Sequence, residues 1–296
     1  MPAEYNPRMP MPSPKRRLNM RFIVRGFFVG LAPLILCAVM AAALPEATLR
    51  SLLFSVFPLP PPDATPLPPE IVVPQDALPS GPAGLQEWRV NRGESRRLAG
   101  SGFFLRLPDG AVIGVTTAHS LSDLGLPSSR LEGIDFLLSG ASNSLMTFDS
   151  LYGEPGEPRT GANLSADFVF LVVEDTAALD PALILAPDPR PLPQPGERVL
   201  LYSGLGNGAG GVDARSGTVQ SAAPEAVWVL MDEQFEAGLM SGSPLISRHT
   251  GRVVGMAVAV SPRRGRILIG FHPIGSLLEH AAEANGEIPI AEFLRE

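Results

Sequence analysis

From about residue 86 onward, apolar residues come in short runs cut by turn-forming residues. Phe103 to Leu107, Pro108-Asp109-Gly110 and Ala111 to Thr116 read as a β-hairpin: two apolar stretches around a turn in which Pro presets φ and Gly supplies conformational freedom. Further strands are expected at 133–138, 145–151, 167–173, 198–202, 217–221, 227–231, 244–247, 252–260 and 266–271. Within this body helical periodicity is confined to 276–284, with Ser276 as candidate N-cap and Glu279 three residues on. Many short strands closed by one helix make an all-β protein of antiparallel barrels. The proline-rich stretch Ala186 to Gly196 divides it. The expected halves are a first barrel over about 86–185 and a second over about 197–272.

The pattern ahead of this body is different. Gly26 to Leu44 is an uncharged apolar run of 19 residues, long enough to cross a bilayer as a helix at ~1.5 Å per residue. Residues 1–25 carry Arg8, Lys15, Arg16, Arg17, Arg21 and Arg25 against Glu4. The positive-inside bias puts that basic segment in the cytoplasm and the body on the extracytoplasmic side, periplasmic or extracellular. Ala41-Ala42-Ala43 also fits a signal-peptidase site, so a chain cleaved after Ala43 and secreted is the alternative. Residues 45–85 read as a short amphipathic helix and then a stalk. Its dense prolines, among them Pro60-Pro61-Pro62, favour an extended, semi-rigid spacer.

Composition narrows the function. The net charge is −7, and the basic N-terminus leaves the rest more acidic still. Nucleic acid is therefore not an expected partner, since phosphate binding draws on basic residues. Cys37 is the sole cysteine, which excludes an internal disulfide. The four histidines His119, His249, His272 and His280 show no metal-ligand spacing, so neither a metal nor a cofactor is expected. Gly206-Asn-Gly208-Ala-Gly-Gly211 matches a dinucleotide fingerprint in form, but no helix-forming run follows to hold a pyrophosphate. It reads as an inter-strand loop, and no nucleotide is expected.

Three segments carry candidate chemistry. Gly114-Val-Thr-Thr-Ala-His119-Ser places an imidazole at the end of an apolar strand. Leu164-Ser-Ala-Asp167-Phe-Val-Phe-Leu171 opens a core strand with an acid, which needs a hydrogen-bonding partner if it is buried. Gly238-Leu-Met-Ser241-Gly242-Ser243-Pro244 sets a serine in a tight glycine-flanked loop whose N–H groups can converge on an anion. Base, orienting acid, nucleophile and oxyanion donors are the parts of nucleophilic serine catalysis. Asp123 and Asp149 are rival acids, and Ser243 is a rival nucleophile.

Thr117-Ala118-His119, Asp167 before Phe-Val-Phe-Leu, and Ser241-Gly242-Ser243-Pro244 resemble the signature blocks of the trypsin-like serine proteases, in their bacterial, disulfide-free form. Gly100-Ser-Gly-Phe-Phe104, Pro195-Gly196 to Gly204, Gly251 to Met256 and Ile269 to Ile274 resemble strands of the same family, so the resemblance spans about 95–284. It implies two six-stranded antiparallel β-barrels with a C-terminal helix and a polypeptide substrate. It assigns His119 as base, Asp167 as orienting acid and Ser241 as nucleophile. The oxyanion donors are then the N–H groups of Ser241 and of Leu239 or Gly238, and the substrate pocket falls near Phe235, Val258 and Val260. A small or apolar residue is expected before the scissile bond.

Two departures stand out. The family usually has Gly where this chain has Leu239, so either Leu239 adopts an unusual backbone conformation or the loop bulges at Gly238. Met240 replaces the acid that receives a freed N-terminus in many animal proteases, so that route of activation is not expected. The alternative to a serine endopeptidase is an inactive protease-like fold used as a membrane-anchored binding module.

Overall fold

The computed structural model describes residues 84–90, 95–122, 131–138, 141, 143–158, 161, 163–203, 213–263 and 265–293. The basic segment 1–25, the apolar run 26–44, the stalk and the glycine loop 206–211 lie outside the described residues. Among the described residues no helix is long and apolar enough to cross a membrane.

The first half contains β1 (Gly84–Val90), β2 (Ser95–Arg106), β3 (Val112–Thr116), β4 (Leu131–Leu137), β5 (Met146–Phe148), β6 (Ser150–Tyr152), β7 (Val169–Val172) and β8 (Ile184–Leu185). The β2–β3 hairpin forms where Pro-Asp-Gly was read as a turn. Gly110 takes φ of +94°, and Asp109 accepts a hydrogen bond from the Ala111 N–H. β2 is long enough to serve two sets of neighbours. Its first part pairs with β1, and its second part with β3 and, in parallel, β8. Its side chains alternate between two cores. Phe103 and Leu105 face one and Phe104 the other, so the strand is apolar on both faces and shows no polar alternation.

Among the described residues the first half does not close into a six-stranded barrel. With β15 (Glu287–Pro289), the strands make a nine-stranded sheet in the order β15-β6-β7-β3-β2-β1-β4-β5, with β8 added on β2. The expected strand 145–151 breaks at Asp149 into β5 and β6, which pair with different neighbours. A segment from the far end of the chain meets this break: β15 pairs with β6, and the N–H of Ile290 donates to the Asp149 carbonyl. Inside this sheet Phe136 packs edge-on against Phe104 and Phe148, with centroids 5.6 and 4.8 Å apart.

The second half is a closed barrel. β9 (Arg198–Ser203), β10 (Asp213–Ala223), β11 (Ala226–Met231), β12 (Pro244–Ser247), β13 (Val253–Arg263) and β14 (Arg266–Pro273) run in the order β10-β11-β14-β13-β12-β9, and β9 pairs back to β10. Val199, Leu201, Val229, Leu245 and Phe271 fill its interior. A third core, including Phe103, Phe170, Ile246 and Met256, joins the two halves.

Among the described residues three α-helical segments complete the fold: α1 (His119–Ser122), α2 (Ile274–Glu283) and α3 (Ile290–Phe293). α2 starts two residues before its expected position. Pro273 is its N-cap and makes no side-chain cap bond. The Ser276 hydroxyl donates instead to the carbonyl of Pro224. Ile274, Leu277 and Ala281 form the buried stripe that fixes α2.

Candidate active site

His119 follows β3 and opens α1, Asp167 precedes β7, and Ser241 lies between β11 and β12. The first two come from the open sheet and the third from the barrel. Their side chains meet. His119 Nδ1 is 2.7 Å from Asp167 Oδ2, and His119 Nε2 is 2.8 Å from Ser241 Oγ. The His119 backbone N–H also donates to Asp167 Oδ1, at 2.9 Å. Asp167 is fully buried and His119 nearly so, while Ser241 is half-buried. A buried carboxylate bridging a histidine's backbone and ring favours the tautomer with the proton on Nδ1, leaving Nε2 to take the serine's proton.

The rival groups sit elsewhere. Asp149 is exposed between β5 and β6, and Asp123 lies outside the described residues. Ser243 is fully buried, and its hydroxyl has no hydrogen-bond partner. Of the other histidines, His249 lies on a β12–β13 turn whose N–H bonds to Ser247. His280 stacks on Phe168 with centroids 4.4 Å apart, and its Nε2 meets the Ser165 carbonyl. His272 is fully buried beside both, and its Nδ1 meets the Pro273 carbonyl. Burial, with the neighbouring His280, pushes the His272 pKa down to about 4 against the pull of the Pro273 carbonyl and Asp167. Among the described residues no cluster of three or more potential metal ligands occurs.

The nucleophile loop takes the first of the two conformations left open by the sequence. Leu239 has φ of +64°, alone among the described non-glycine residues in being positive. Gly238, which could have relieved it, does not have a positive φ. The N–H of Met240 closes a turn on the Ala237 carbonyl, so Leu239 occupies the third turn position, where a positive φ ordinarily selects Gly. A left-handed conformation costs a leucine about 1–2 kcal/mol. Among the described residues neither the Leu239 nor the Ser241 N–H donates to a protein carbonyl, whereas those of Met240, Gly242 and Ser243 do. The N–H groups of Leu239 and Ser241, on alternate residues, are thus without a backbone acceptor among the described residues.

Ser101 of β2 ties this loop to the first half. Its N–H donates to the Ser241 carbonyl at 2.8 Å, its hydroxyl to the Leu239 carbonyl at 3.0 Å, and its carbonyl accepts from Thr116 Oγ1. The approach is so close that a Cβ on Gly242, whose φ is +90°, would fall 1.9 Å from the Ser101 carbonyl oxygen.

A cavity of about 70 Å³ opens next to Ser241, walled by Ala237 and Met240 of the loop and by Val258, Ala259, Val260 and Ile269 of β13 and β14. Val258 and Val260, which the resemblance puts near the substrate pocket, are among the residues lining this cavity. Phe235 is not among its lining residues: it packs on the barrel core with the Arg215 guanidinium 4.9 Å above its ring, and Ala237 is the loop residue in the wall. On its other edge β13 pairs with β12 only through Val253–Met256, so beyond that point no strand of the described residues flanks it.

One polar cluster was not foreseen. Arg190, inside the proline-rich linker, grips Asp188 at 2.9 and 2.8 Å and Glu197 at 3.0 Å through both nitrogens, while Ser247 and Thr250 donate to the same carboxylates. Burial would raise the pKa of Asp188, but the bonds from Arg190 and Thr250 hold it below the ordinary carboxylate value. Asp188-Pro-Arg190 was a readable signal: alternating charge among prolines has little reason to exist in a passive spacer.

Neither a family model nor a curated protein matches the chain. Among solved structures it is similar to a serine-to-alanine mutant of Rv3671c from M. tuberculosis in an inactive form, at 18% identity over 77% of this chain and 97% of that one, with a TM-score of 0.45. It is similar to catalytically active tobacco etch virus protease complexed with product, at 12% identity over 80% and 87%, with a TM-score of 0.46. It is similar to the serine endoprotease from Yersinia pestis, at 18% identity over 70% and 65%, with a TM-score of 0.43. All three likenesses are at low sequence identity, and two of the three are to proteases by name.

Proposed function

We propose that the protein is a serine endopeptidase whose reaction runs through His119, Asp167 and Ser241. The observation that carries this reading is the continuous chain of hydrogen bonds from Asp167 through His119 to Ser241 Oγ. In the first step Ser241 Oγ bonds to the scissile carbonyl carbon and its proton passes to His119 Nε2. The N–H groups of Leu239 and Ser241 hold the oxyanion. As the C–N bond breaks, His119 returns the proton to the departing amine. Water then repeats the sequence on the acyl-enzyme, with His119 again as base. Asp167 remains ionised and steadies the imidazolium. From the sequence, the protein is held by the run 26–44 with this domain on the extracytoplasmic side.

The test is reaction of the full-length protein with a fluorophosphonate, in which Ser241 Oγ displaces fluoride from phosphorus. Labelling mapped to Ser241, and lost in both Ser241→Ala and His119→Ala, is the expected result. A folded protein that does not label would leave the inactive binding module as the better reading.

A further inference from the structure

Asp167 stands outside the ladder of its own sheet. β7 begins at Val169, and the Asp167 N–H closes a turn on the Leu164 carbonyl at 3.3 Å, longer than an ordinary amide bond. The residues around it are held by other parts of the chain. The N–H of Gly156 donates to the Phe168 carbonyl at 2.9 Å. From α2, His280 grips both flanks of Asp167 at once. Its Nε2 lies 2.9 Å from the Ser165 carbonyl, so that nitrogen carries a proton and donates, and its ring lies on Phe168 with the planes 16° apart. A phenylalanine at 280 could only pack on Phe168, and a glutamine could only bond Ser165. An imidazole does both.

His272 backs this contact. Its ring meets Phe168 and His280 edge-on, with centroids 5.9 and 5.8 Å away. It is fully buried; its Nδ1 donates to the Pro273 carbonyl, and its Nε2 has no hydrogen-bond partner. Burial above all keeps this imidazole uncharged at neutral pH. Asp167 therefore gains no second cation from His272, and that side leaves its charge to His119.

We propose, resting on the reading of Asp167 as the orienting acid, that His280 is a positioning residue: by donating to the Ser165 carbonyl and stacking on Phe168 it fixes the segment from which Asp167 reaches His119, with His272 as the buried backing of both rings. His280 acts through Asp167 and takes no part in bond making. The two bonds it protects are those from Asp167 to the His119 backbone and ring, at 2.9 and 2.7 Å. A shift of the segment by about 1 Å would stretch both, and misplacement of that size costs a reaction about 10²-fold.

The experiment compares the full-length protein with three variants. His280→Gln keeps a donor for Ser165, and His280→Phe keeps a ring on Phe168. Ser276→Ala frees α2 from the Pro224 carbonyl instead. Two quantities are read. One is the maximal rate of fluorophosphonate labelling at Ser241, with the reagent concentration that gives half of it. The other is the low-field proton signal of His119 Nδ1 in protein carrying isotope-labelled histidine, identified by its loss in His119→Ala. His280→Phe is expected to lower the maximal rate at least tenfold, to change the half-saturating concentration less than twofold and to move the His119 signal upfield. His280→Gln is expected to stay within threefold of the parent rate and to keep the signal. Ser276→Ala is expected to lower Tm and change neither quantity. If His280→Phe does not fold, His280→Asn, whose amide nitrogen stops short of the position of the imidazole Nε2, takes its place with the same expectations. An unmoved His119 signal in the folded His280 variant overturns the proposal, and so does an equal effect of Ser276→Ala, which would make the looseness of α2 the cause. If the parent protein does not label, the enzyme reading falls by itself. The His119 signal then decides alone: moved in His280→Phe, the positioning role stands; unmoved, it falls.

Discussion

The hydroxyl of Ser101 donates to the carbonyl of Leu239, 138 positions away in sequence. With the bond from the Ser101 N–H to the Ser241 carbonyl, it fixes the two peptide groups on either side of the Met240–Ser241 link. The strand carrying Ser101 belongs to the open sheet, and the loop belongs to the barrel. The two halves therefore both hold the backbone at Ser241.

Removing that hydroxyl with Ser101→Ala leaves the Ser241 bond in place but frees the Leu239 carbonyl. A hydrogen bond of this kind is worth about 1 kcal/mol. The expected outcome is a three- to tenfold fall in kcat, with KM changed less than twofold and a small drop in Tm. Steady-state kinetics beside a thermal melt check it.

Asp167→Asn keeps the shape of the acid but can present an N–H where His119 needs an acceptor. The imidazole is then held in the wrong tautomer. A fall of about 10⁴ in kcat is expected, with cooperative unfolding retained. Loss of less than tenfold would mean that Asp167 does not orient His119.

His272 makes stability depend on pH. Its pKa is about 4 in the folded protein and 6.5 when exposed, so between those values the unfolded chain binds the extra proton. Stability is therefore full above pH 6.5 and falls as the pH drops toward 4, by ~3 kcal/mol from this residue. His272→Phe is expected to flatten that part of the profile. Denaturant unfolding of both proteins at a series of pH values measures the difference.

Arg190→Met removes the cation between Asp188 and Glu197, whose side chains are almost wholly buried. The methionine occupies similar space but leaves two carboxylates without their partner. A loss of about 2–3 kcal/mol is expected, less than for a fully buried ion pair because Arg190 itself is partly exposed. The effect should grow with pH. The bonds from Arg190 help hold the Asp188 carboxyl below the ordinary carboxylate value, so its contribution is complete above that ordinary value and disappears as the carboxylate protonates. Melting curves at pH 3 and pH 7 check both points.

The strands around the candidate site were legible because they follow local rules. The β2–β3 hairpin announces itself through Pro108-Asp109-Gly110, and β12 spans 244–247 as read from Pro-Leu-Ile-Ser. His119, Asp167 and Ser241 stood out because each is a reactive side chain at the border of an apolar run. What could not be read depends on distant pairing. Glu287-Ile-Pro289 is too short to signal a strand, and becomes one because β6 offers it an edge. The same contact lies where 145–151 divides into two strands. Ser276 has the chemistry of an N-cap, but α2 begins earlier because Ile274 is drawn into the core between the halves. Phe235 was placed at the pocket by counting back from Ser241. The turn at Ala237–Met240 brings Ala237 to the wall instead.

The pairing of β15 with β6 ties assembly to the clock of protein synthesis. A chain emerging from the ribosome has residues 119, 167 and 241 long before residue 287. Until then β6 lacks its neighbour, and Asp149 lacks the donor that Ile290 will bring. A nascent chain stalled short of that point presents an unfilled strand edge, open to pairing with other chains. The first sheet, although it begins at residue 84, is thus among the last parts of the protein to be finished.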